Sequence, residues 1–238
     1  SAVALAARDV SAKARLLAAR TLGCAEADLE QGGAAFTGRR RPQRRLTFGD
    51  LARLAGAATA ALGVEPGLES TRVFQPTDIT YSFGAQVALV ELDPLSACVR
   101  ILGLWIGHDS GRLINPLVVE GQLQGAVALG IGSALLEEVR YDETGQLRAG
   151  TYMDYLLPTA TDVPNMVIDH FETFSTLNPL GPKGVGESGA RPVPAVLASA
   201  IEDAVGPRGG RVTRMPPAPP RLLELLPPPA LAETTESG

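Results

Sequence analysis

One segment of the sequence combines a flexible backbone with a single carboxylate. It is Asn178-Pro-Leu-Gly-Pro-Lys-Gly-Val-Gly-Glu-Ser-Gly189, whose glycines and prolines exclude a regular helix or a central strand. Glu187 follows Gly184 and Gly186, so the backbone can come close to a bound group while one carboxylate lies beside that group. This arrangement suits a residue that takes up or delivers a proton, and we predict that Glu187 is a catalytic base.

The segment lies between a predicted strand and a predicted helix. Alternating apolar residues indicate a strand over Val167–Glu172, and apolar residues at helical spacing indicate a helix over Ala195–Val205. Backbone N–H groups in such a loop and at a helix start carry partial positive charge, which suits an anionic ligand. The GxxxxGK[ST] pattern of a P-loop is absent. On the residues alone, a structural turn and a phosphate-binding module remain alternatives to a catalytic loop.

A second segment rich in glycine lies upstream. Its apolar residues predict a helix from Val118 to Tyr141, although Gly121 and Gly125 lie within it. Each interior glycine destabilises a helix by about 1 kcal/mol relative to alanine, so the glycines need a reason. Close packing against Gly121 and Gly125 is one reason, and contact between the helix start and a cofactor is another. The pattern GxGxxG is absent, so a Rossmann nucleotide site is not supported.

The rest of the chain predicts an α+β fold in which mixed sheets pack with helices. Two further helices are predicted, over Val3–Leu22 and from Phe48 to about Leu62. Further strands are predicted at Ala34–Thr37, Arg72–Phe74, Gln86–Leu92 and Cys98–Gly107, of which the last two form a hairpin. The basic run Arg39–Arg45 is interpreted as a solvated loop or a subunit contact.

Composition narrows the class of protein. The chain has 238 residues, 45% of them hydrophobic, which is enough to fill a sizeable core. A net charge of −5 argues against a nucleic-acid partner, and no apolar run approaches the roughly 18 residues of a membrane span. Cys24 and Cys98 are too far apart in sequence for a CxxC motif. His108 and His170 are too few for a metal cluster, and we interpret them as satisfied or surface side chains.

The two ends of the chain carry their own signals. The proline-rich stretch 227–238 is predicted to be a disordered tail, after one helical turn at Leu222–Leu226. The folded region is therefore expected to be 1–226, as one domain or as two subdomains. The sequence begins at Ser1, without methionine and inside a helical pattern, which indicates a piece of a longer polypeptide or a processed subunit. With no secretory signal visible, a cytoplasmic location is expected.

Five motifs follow one another in a recognisable order. They are Gly111-Arg-Leu-Ile-Asn-Pro116, Val119-Glu-Gly-Gln-Leu-Gln-Gly125, Leu135-Leu-Glu-Glu138, Tyr152-Met-Asp-Tyr155 and the segment that ends at Glu187. Their order and spacing resemble the C-terminal half of the molybdopterin-binding region in the molybdenum-binding subunit of the xanthine dehydrogenase family. This family includes the large subunit of aerobic carbon monoxide dehydrogenase, which the stretch Tyr81–Asp93 resembles in particular.

The resemblance implies a fold, an activity and roles for residues. The fold would be the molybdenum cofactor-binding domain of the xanthine oxidase type, in an oxidoreductase that hydroxylates a heterocycle or an aldehyde, or oxidises carbon monoxide. Glu187 would be the base that activates a Mo–OH group, and Gln122 would contact the pterin. Gly184, Val185 and Gly186 would border the metal without ligating it. A carboxylate suits this role because it is charged at neutral pH, and a placed base contributes about 10²- to 10⁴-fold to a rate.

The resemblance also implies partners. The upstream half of the family's molybdenum domain has no counterpart here, so the rest of the site must come from a longer polypeptide or a separate subunit. FAD and [2Fe-2S] centres would lie on partner subunits or domains, and the pterin would be the cytosine dinucleotide form. Leu129 stands where some relatives have a second glutamine. The alternative is a cofactor-free interaction or maturation protein that retains the fold.

Overall fold

The computed structural model describes residues 1–57, 62–206 and 209–226. These residues form two compact units, Ser1–Asp78 with Leu177–Leu180, and Ile79–Thr176 with Gly181 onward. Each unit contains a three-stranded sheet together with helices. The predicted α+β class is confirmed.

In the described residues of the first unit, a small antiparallel sheet packs with two α-helices of at least ten residues. Helices α1 (Ala2–Leu22) and α2 (Phe48–Ala57) flank strands β1 (Leu29–Gly32), β2 (Ala35–Gly38) and β3 (Arg41–Thr47). The strands lie in the order β1-β2-β3. Its core is apolar, as the helical spacing of α1 predicts. The largest fully buried side chains of this unit are Leu17, Phe36 and Leu51.

The structure corrects two predictions in this unit. Most of the basic run Arg39–Arg45 belongs to strand β3, because it pairs with β2, and is not a loop. No strand forms at Arg72–Phe74. Instead, the side chains of Arg72 and Ser70 donate hydrogen bonds to the carboxylate of Asp9 on α1. The predicted continuation of α2 towards Leu62 includes residues 58–61, which lie outside the described residues.

The second unit contains a mixed sheet. Strands β4 (Phe83–Leu92) and β5 (Val99–Asp109) form the predicted antiparallel hairpin, with Val87 opposite Trp105. Strand β6 (Met166–Phe171) pairs with β5 in parallel. The carboxyl ends of β5 and β6 therefore lie side by side, and the segments that follow both strands begin at the same edge of the sheet.

The described residues of this unit include three α-helices: α3 (Pro116–Ile131), α4 (Val193–Val205) and α5 (Pro219–Leu225). At the start of α3 the Asn115 side chain accepts a hydrogen bond from the N–H of Val118. The predicted helical turn near Leu222 corresponds to α5.

Helix α3 ends earlier than its apolar pattern predicts. It gives way to a single π-helical turn at Gly132–Leu136, and the chain is extended from Glu137. A tertiary contact holds this exit, because the hydroxyl of Tyr155 donates a hydrogen bond of 2.7 Å to the Glu137 carboxylate. The predicted tail 227–238 lies outside the described residues. No helix in the described part of the chain is long and apolar enough to cross a membrane.

Candidate active site

A buried carboxylate fixes the base of the glycine-rich loop Gly181–Gly189. Asp109, at the end of β5, accepts hydrogen bonds from the backbone N–H of Gly111 (2.7 Å) and of Thr173 (3.1 Å), and from the Thr173 hydroxyl. The ammonium group of Lys183 lies 3.3 Å from the same carboxylate, and only 1% of the Asp109 side chain and 9% of the Lys183 side chain are exposed. The pair thus joins the loop to the sheet.

The hydrogen bonds around Asp109 decide its charge state. Burial alone would raise the pKa of Asp109, because it disfavours the charged form. The hydrogen bonds from Thr173, Gly111 and Lys183 favour the carboxylate and outweigh burial, so the pKa of Asp109 lies below its ordinary value. Asp109 is therefore an anion at neutral pH and a permanent partner for the lysine.

Close backbone contact joins the loop to the segment after β5. The N–H of Lys183 donates to the carbonyl of Ser110 at 2.6 Å, and Gly111 pairs with Pro182 as an isolated bridge. Gly111 has φ +68°, and a Cβ there would lie 2.3 Å from the carbonyl oxygen of Gly181. Only glycine fits such a position. The first and last of the five sequence motifs are therefore packed directly on each other.

Two side chains of the sheet, His108 and Gln86, form hydrogen bonds to the loop. Nε2 of the buried His108 lies 2.7 Å from the hydroxyl of Ser188, which donates to the carbonyl of Val185 at 3.0 Å. Since the hydroxyl hydrogen is used in that bond, His108 Nε2–H is the donor to Ser188. The Gln86 amide donates to the carbonyl of Gly189 at 2.9 Å. These bonds hold the backbone on both sides of Glu187.

His108 is kept neutral by its surroundings. Burial lowers the pKa of His108, and the nearby His170 ring lowers it further, whereas the charge of Asp109 opposes this in part. The two imidazole rings meet edge to face with centroids 6.4 Å apart. The Nδ1 atoms of both rings are buried and have no hydrogen-bond partner among the described residues. The expectation of satisfied or surface histidines is thus wrong for the Nδ1 atoms of both His108 and His170.

The tip of the loop is exposed. Glu187 forms a 2.6 Å ion pair with Arg191 one turn further on, and 76% of the Glu187 side chain and 78% of the Arg191 side chain are accessible to solvent. The amide of Gln122, on the first turns of α3, donates to the carbonyl of Gly186 at 2.8 Å. The structure therefore brings together the two motifs that carry the predicted base and the predicted pterin contact.

The backbone beside Glu187 is suited to a polar, anionic group. A Cβ built on Gly184 or on Gly186 would meet nothing within 4 Å, so the space over the loop is open. The N–H groups of Gly184, Val185 and Gly186 donate to no described residue. Unused N–H donors on an open loop, bordered by the Gln122 amide, suit an anionic ligand. The residues of this chain fit one side of a molybdenum–pterin site.

An apolar cavity of this unit lies away from the loop. It has a volume of about 450 Å³ and lies between the start of β5, the π-helical turn and the segment before α5; its lining includes Ile101, Leu135, Glu138, Asp162 and Pro216. None of the loop residues lines it. The Glu187 carboxylate, the Gln122 amide and the free N–H groups thus lie at the open loop, and the cavity is not the candidate site.

Sequence reasoning missed the residues that support the loop. The sequence predicts only a satisfied or surface side chain for His108 and no role for Asp109, Lys183 or Ser188, although Lys183 and Ser188 lie in the segment Asn178–Gly189. The Asp109–Lys183 pair spans 74 positions and the His108–Ser188 pair spans 80. A usable signal was present, since the polar pair His108-Asp109 directly follows the predicted strand Cys98–Gly107, where loops of neighbouring strands meet.

Comparisons with known proteins show the family of this chain. A family model described as "Molybdopterin cofactor-binding domain" matches residues 1–164. The chain is 35% identical over 222 residues to the nicotine 6-hydroxylase large subunit of Paenarthrobacter nicotinovorans, covering 92% of this chain and 27% of that subunit. It is 36% identical over 188 residues to the carbon monoxide dehydrogenase large chain of Afipia carboxidovorans, covering 79% of this chain and 23% of that one.

Solved structures give the same result. Quinoline 2-oxidoreductase from Pseudomonas putida 86 matches with a TM-score of 0.82 and 34% identity, over 92% of this chain and 28% of that chain. Reconstituted carbon monoxide dehydrogenase from Oligotropha carboxidovorans matches with a TM-score of 0.83 and 32% identity, over 93% and 28%. The chain spans about a quarter of the length of the curated relatives it matches. It belongs to the molybdopterin cofactor-binding domain family and corresponds to part of the molybdenum-binding subunit of xanthine dehydrogenase-type enzymes.

Proposed function

We propose that this chain supplies the catalytic base and one side of the cofactor cradle to a molybdenum-dependent oxidoreductase. The observation that carries the proposal is the hydrogen bond from Gln122 to the carbonyl of Gly186, directly beside Glu187. It places the exposed carboxylate next to open backbone donors, at a loop whose base is fixed by the Asp109–Lys183 pair.

Each residue has a separate task in this proposal. When bound, the molybdenum–pterin cofactor supplies two-electron redox chemistry. Gln122 and the N–H groups of Gly184, Val185 and Gly186 bind and orient it. Glu187 accepts the proton released as the substrate is oxidised, and its exposed carboxylate can exchange Arg191 for another partner because both side chains face solvent.

The names of the relatives support the substrate class that we propose. Their names include a nicotine hydroxylase, a quinoline oxidoreductase and carbon monoxide dehydrogenases. We propose hydroxylation of a heterocycle or an aldehyde, or oxidation of carbon monoxide. The remainder of the molybdenum domain, and flavin and [2Fe-2S] centres on other subunits, complete the enzyme, which we place in the cytoplasm. The cytosine dinucleotide form of the pterin belongs to this proposal.

The test is Glu187→Gln in the complete enzyme. This change keeps the size of the side chain and removes its basicity, so turnover falls about 10²- to 10⁴-fold while molybdenum content stays unchanged. Glu91→Gln is the matched control, because Glu91 also forms an exposed pair with an arginine, Arg100, and lies on a strand outside the loop. Turnover of Glu187→Gln equal to that of the control would refute the assignment.

The rival reading is a cofactor-free interaction or maturation protein. It predicts that the complete complex, purified from its source, contains neither molybdenum nor pterin. Metal analysis together with pterin fluorescence of the same preparation decides between the two. Molybdenum near one atom per chain supports the enzyme, and its absence from an intact complex supports the rival.

A further inference from the structure

Helix α3 presents apolar residues on two faces. One face is buried in the second unit against β5 and α4, and its residues are Leu123, Ala126, Val127, Gly130 and Ile131. On the helical wheel a separate arc carries Leu117, Val118, Gly121, Gly125 and Leu129, which we call the outer face. An amphipathic surface helix has one apolar face, so a second apolar face on α3 needs a separate explanation.

The outer face is exposed. Leu117 is 80% exposed, Val118 62% and Leu129 59%. From Leu117 to Leu129 the face is about 18 Å long, since each helical residue rises 1.5 Å. Large apolar side chains gathered on one exposed face mark an interaction surface, whereas single ones do not.

No close contact among the described residues requires glycine at the two glycine positions of this face. A Cβ on Gly121 or Gly125 would meet nothing within 4 Å. Gly130, on the buried face, differs, because a Cβ there would lie 2.7 Å from the Val193 side chain. Glycine in a helix interior is unfavourable by about 1 kcal/mol relative to alanine. Gly121 and Gly125 thus weaken the helix without any packing in return from the described residues.

We propose that the outer face docks a helix or strand of the polypeptide that completes the molybdenum domain. The relatives identify the source of this segment, because the chain spans only 27% of the nicotine 6-hydroxylase large subunit and 28% of the quinoline oxidoreductase chain. Most of those polypeptides lies outside the matched region. Gly121 and Gly125 let the backbone of the docked segment approach α3 closely, and Leu117, Val118 and Leu129 pack around it.

A cofactor is a poorer fit to this face. Its five residues offer no polar side chain, whereas the polar Gln122 lies at its edge and is turned to the loop carbonyl of Gly186. The inference rests on the proposed assembly but not on the role of Glu187. It also assigns Gly121 to protein packing, which decides between the two readings that the sequence left open.

The experiment is site-specific photocrosslinking in the complete enzyme. Leu117 is replaced by p-benzoyl-phenylalanine, and Leu129 in a second variant, so that one misfolded variant does not end the test. We expect each to crosslink, on irradiation, to a peptide outside the 238 residues of this sequence, identified by mass spectrometry. Glu120, exposed on another side of α3, is the matched position and crosslinks at least about tenfold less.

Gly125→Leu in the same background tests the close approach. Its side chain overpacks the docked interface, so crosslinking from Leu117 falls about tenfold, whereas Gly56→Leu, at an exposed helical glycine of α2, leaves it unchanged. A crosslink to a second copy of this sequence or to the cofactor, no crosslink, or equal yields at Glu120 would overturn the inference. The crosslinking yield does not depend on turnover, and it is measured again in a Glu187→Gln background. A wrong assignment of Glu187 as the base would therefore not remove the crosslink.

Discussion

The loop Gly181–Gly189 has one ion pair near its start and another near its end, and the two ion pairs differ in burial. At the base, Asp109 and Lys183 are almost entirely buried and share further hydrogen bonds with Thr173. At the tip, Glu187 and Arg191 are exposed and hold only each other in the described chain. The same type of interaction therefore fixes the loop at one end and leaves a carboxylate available at the other.

The difference matters energetically. Removing one partner of a buried ion pair leaves the other charge buried and without a counter-charge, which lowers the free energy of unfolding by about 3–5 kcal/mol. An exposed pair contributes between about 0 and 1 kcal/mol, because water and salt screen it. A catalytic carboxylate must change partners during each turnover. An exposed pair permits this, and the buried pair keeps the loop in place while it happens.

The largest effect is expected at the base. Asp109→Asn keeps the shape of the side chain but removes the charge that neutralises Lys183, so the free energy of unfolding falls by about 3–5 kcal/mol. Urea denaturation followed by circular dichroism measures this change. Asp109→Asn/Lys183→Met is the control, since Met also packs on the Phe83 ring that Lys183 now covers at 4.4 Å. A double variant as unstable as the single one would show that the ion pair is not the cause.

Local sequence patterns predict Glu187 at the tip of the loop, but not the buried residues that hold the loop on the sheet. Glu187 and its glycines are adjacent in sequence, and Gln122 belongs to a second compact motif, so neither required knowledge of the fold. The contacts from His108 to Ser188 and from Asp109 to Lys183 exist only because β5 and β6 end side by side. The place of His108 and Asp109 at a strand end is a local signal, but their pairing with residues 80 and 74 positions away is not. The strands that bring these residues together were predicted.

Tertiary contacts also explain the elements that sequence patterns misplaced. Arginines favour solvent, so the run Arg39–Arg45 was read as a loop, but pairing with β2 makes most of it a strand. The apolar pattern of α3 continues beyond Ile131, but the helix ends there. The hydrogen bond from Tyr155 to Glu137 stabilises the extended chain that follows the π-helical turn. In each case a contact with another segment outweighs local propensity.

A smaller, pH-dependent effect is expected in the middle of the loop. The folded protein lowers the pKa of His108, so below the ordinary value of 6.5 the unfolded chain binds more protons than the folded one. Stability therefore falls as pH drops below about 6.5, by at most about 1.4 kcal/mol per pH unit. Urea denaturation between pH 5 and 7 measures the slope.

The control for this slope is His108→Gln, which keeps a side-chain donor near Ser188 but has no proton to gain. We expect this variant to lose that part of the pH dependence. Asp109 does not interfere, because its pKa is held below its ordinary value of 3.8, so the stability it contributes is lost only at more acidic pH. An unchanged slope in His108→Gln would assign the pH dependence to another group.

The smallest effect is expected at the tip. Arg191→Ala removes an exposed partner four residues from Glu187, and pairs of this spacing contribute about 0.3–0.5 kcal/mol on a helix and less where salt screens them. Urea denaturation at low and at high ionic strength measures the loss, which we expect to vanish in high salt. A loss that persisted and matched that of Asp109→Asn would mean that the tip is held as firmly as the base. Glu187 would then lack the freedom to exchange partners that its proposed role as a base requires.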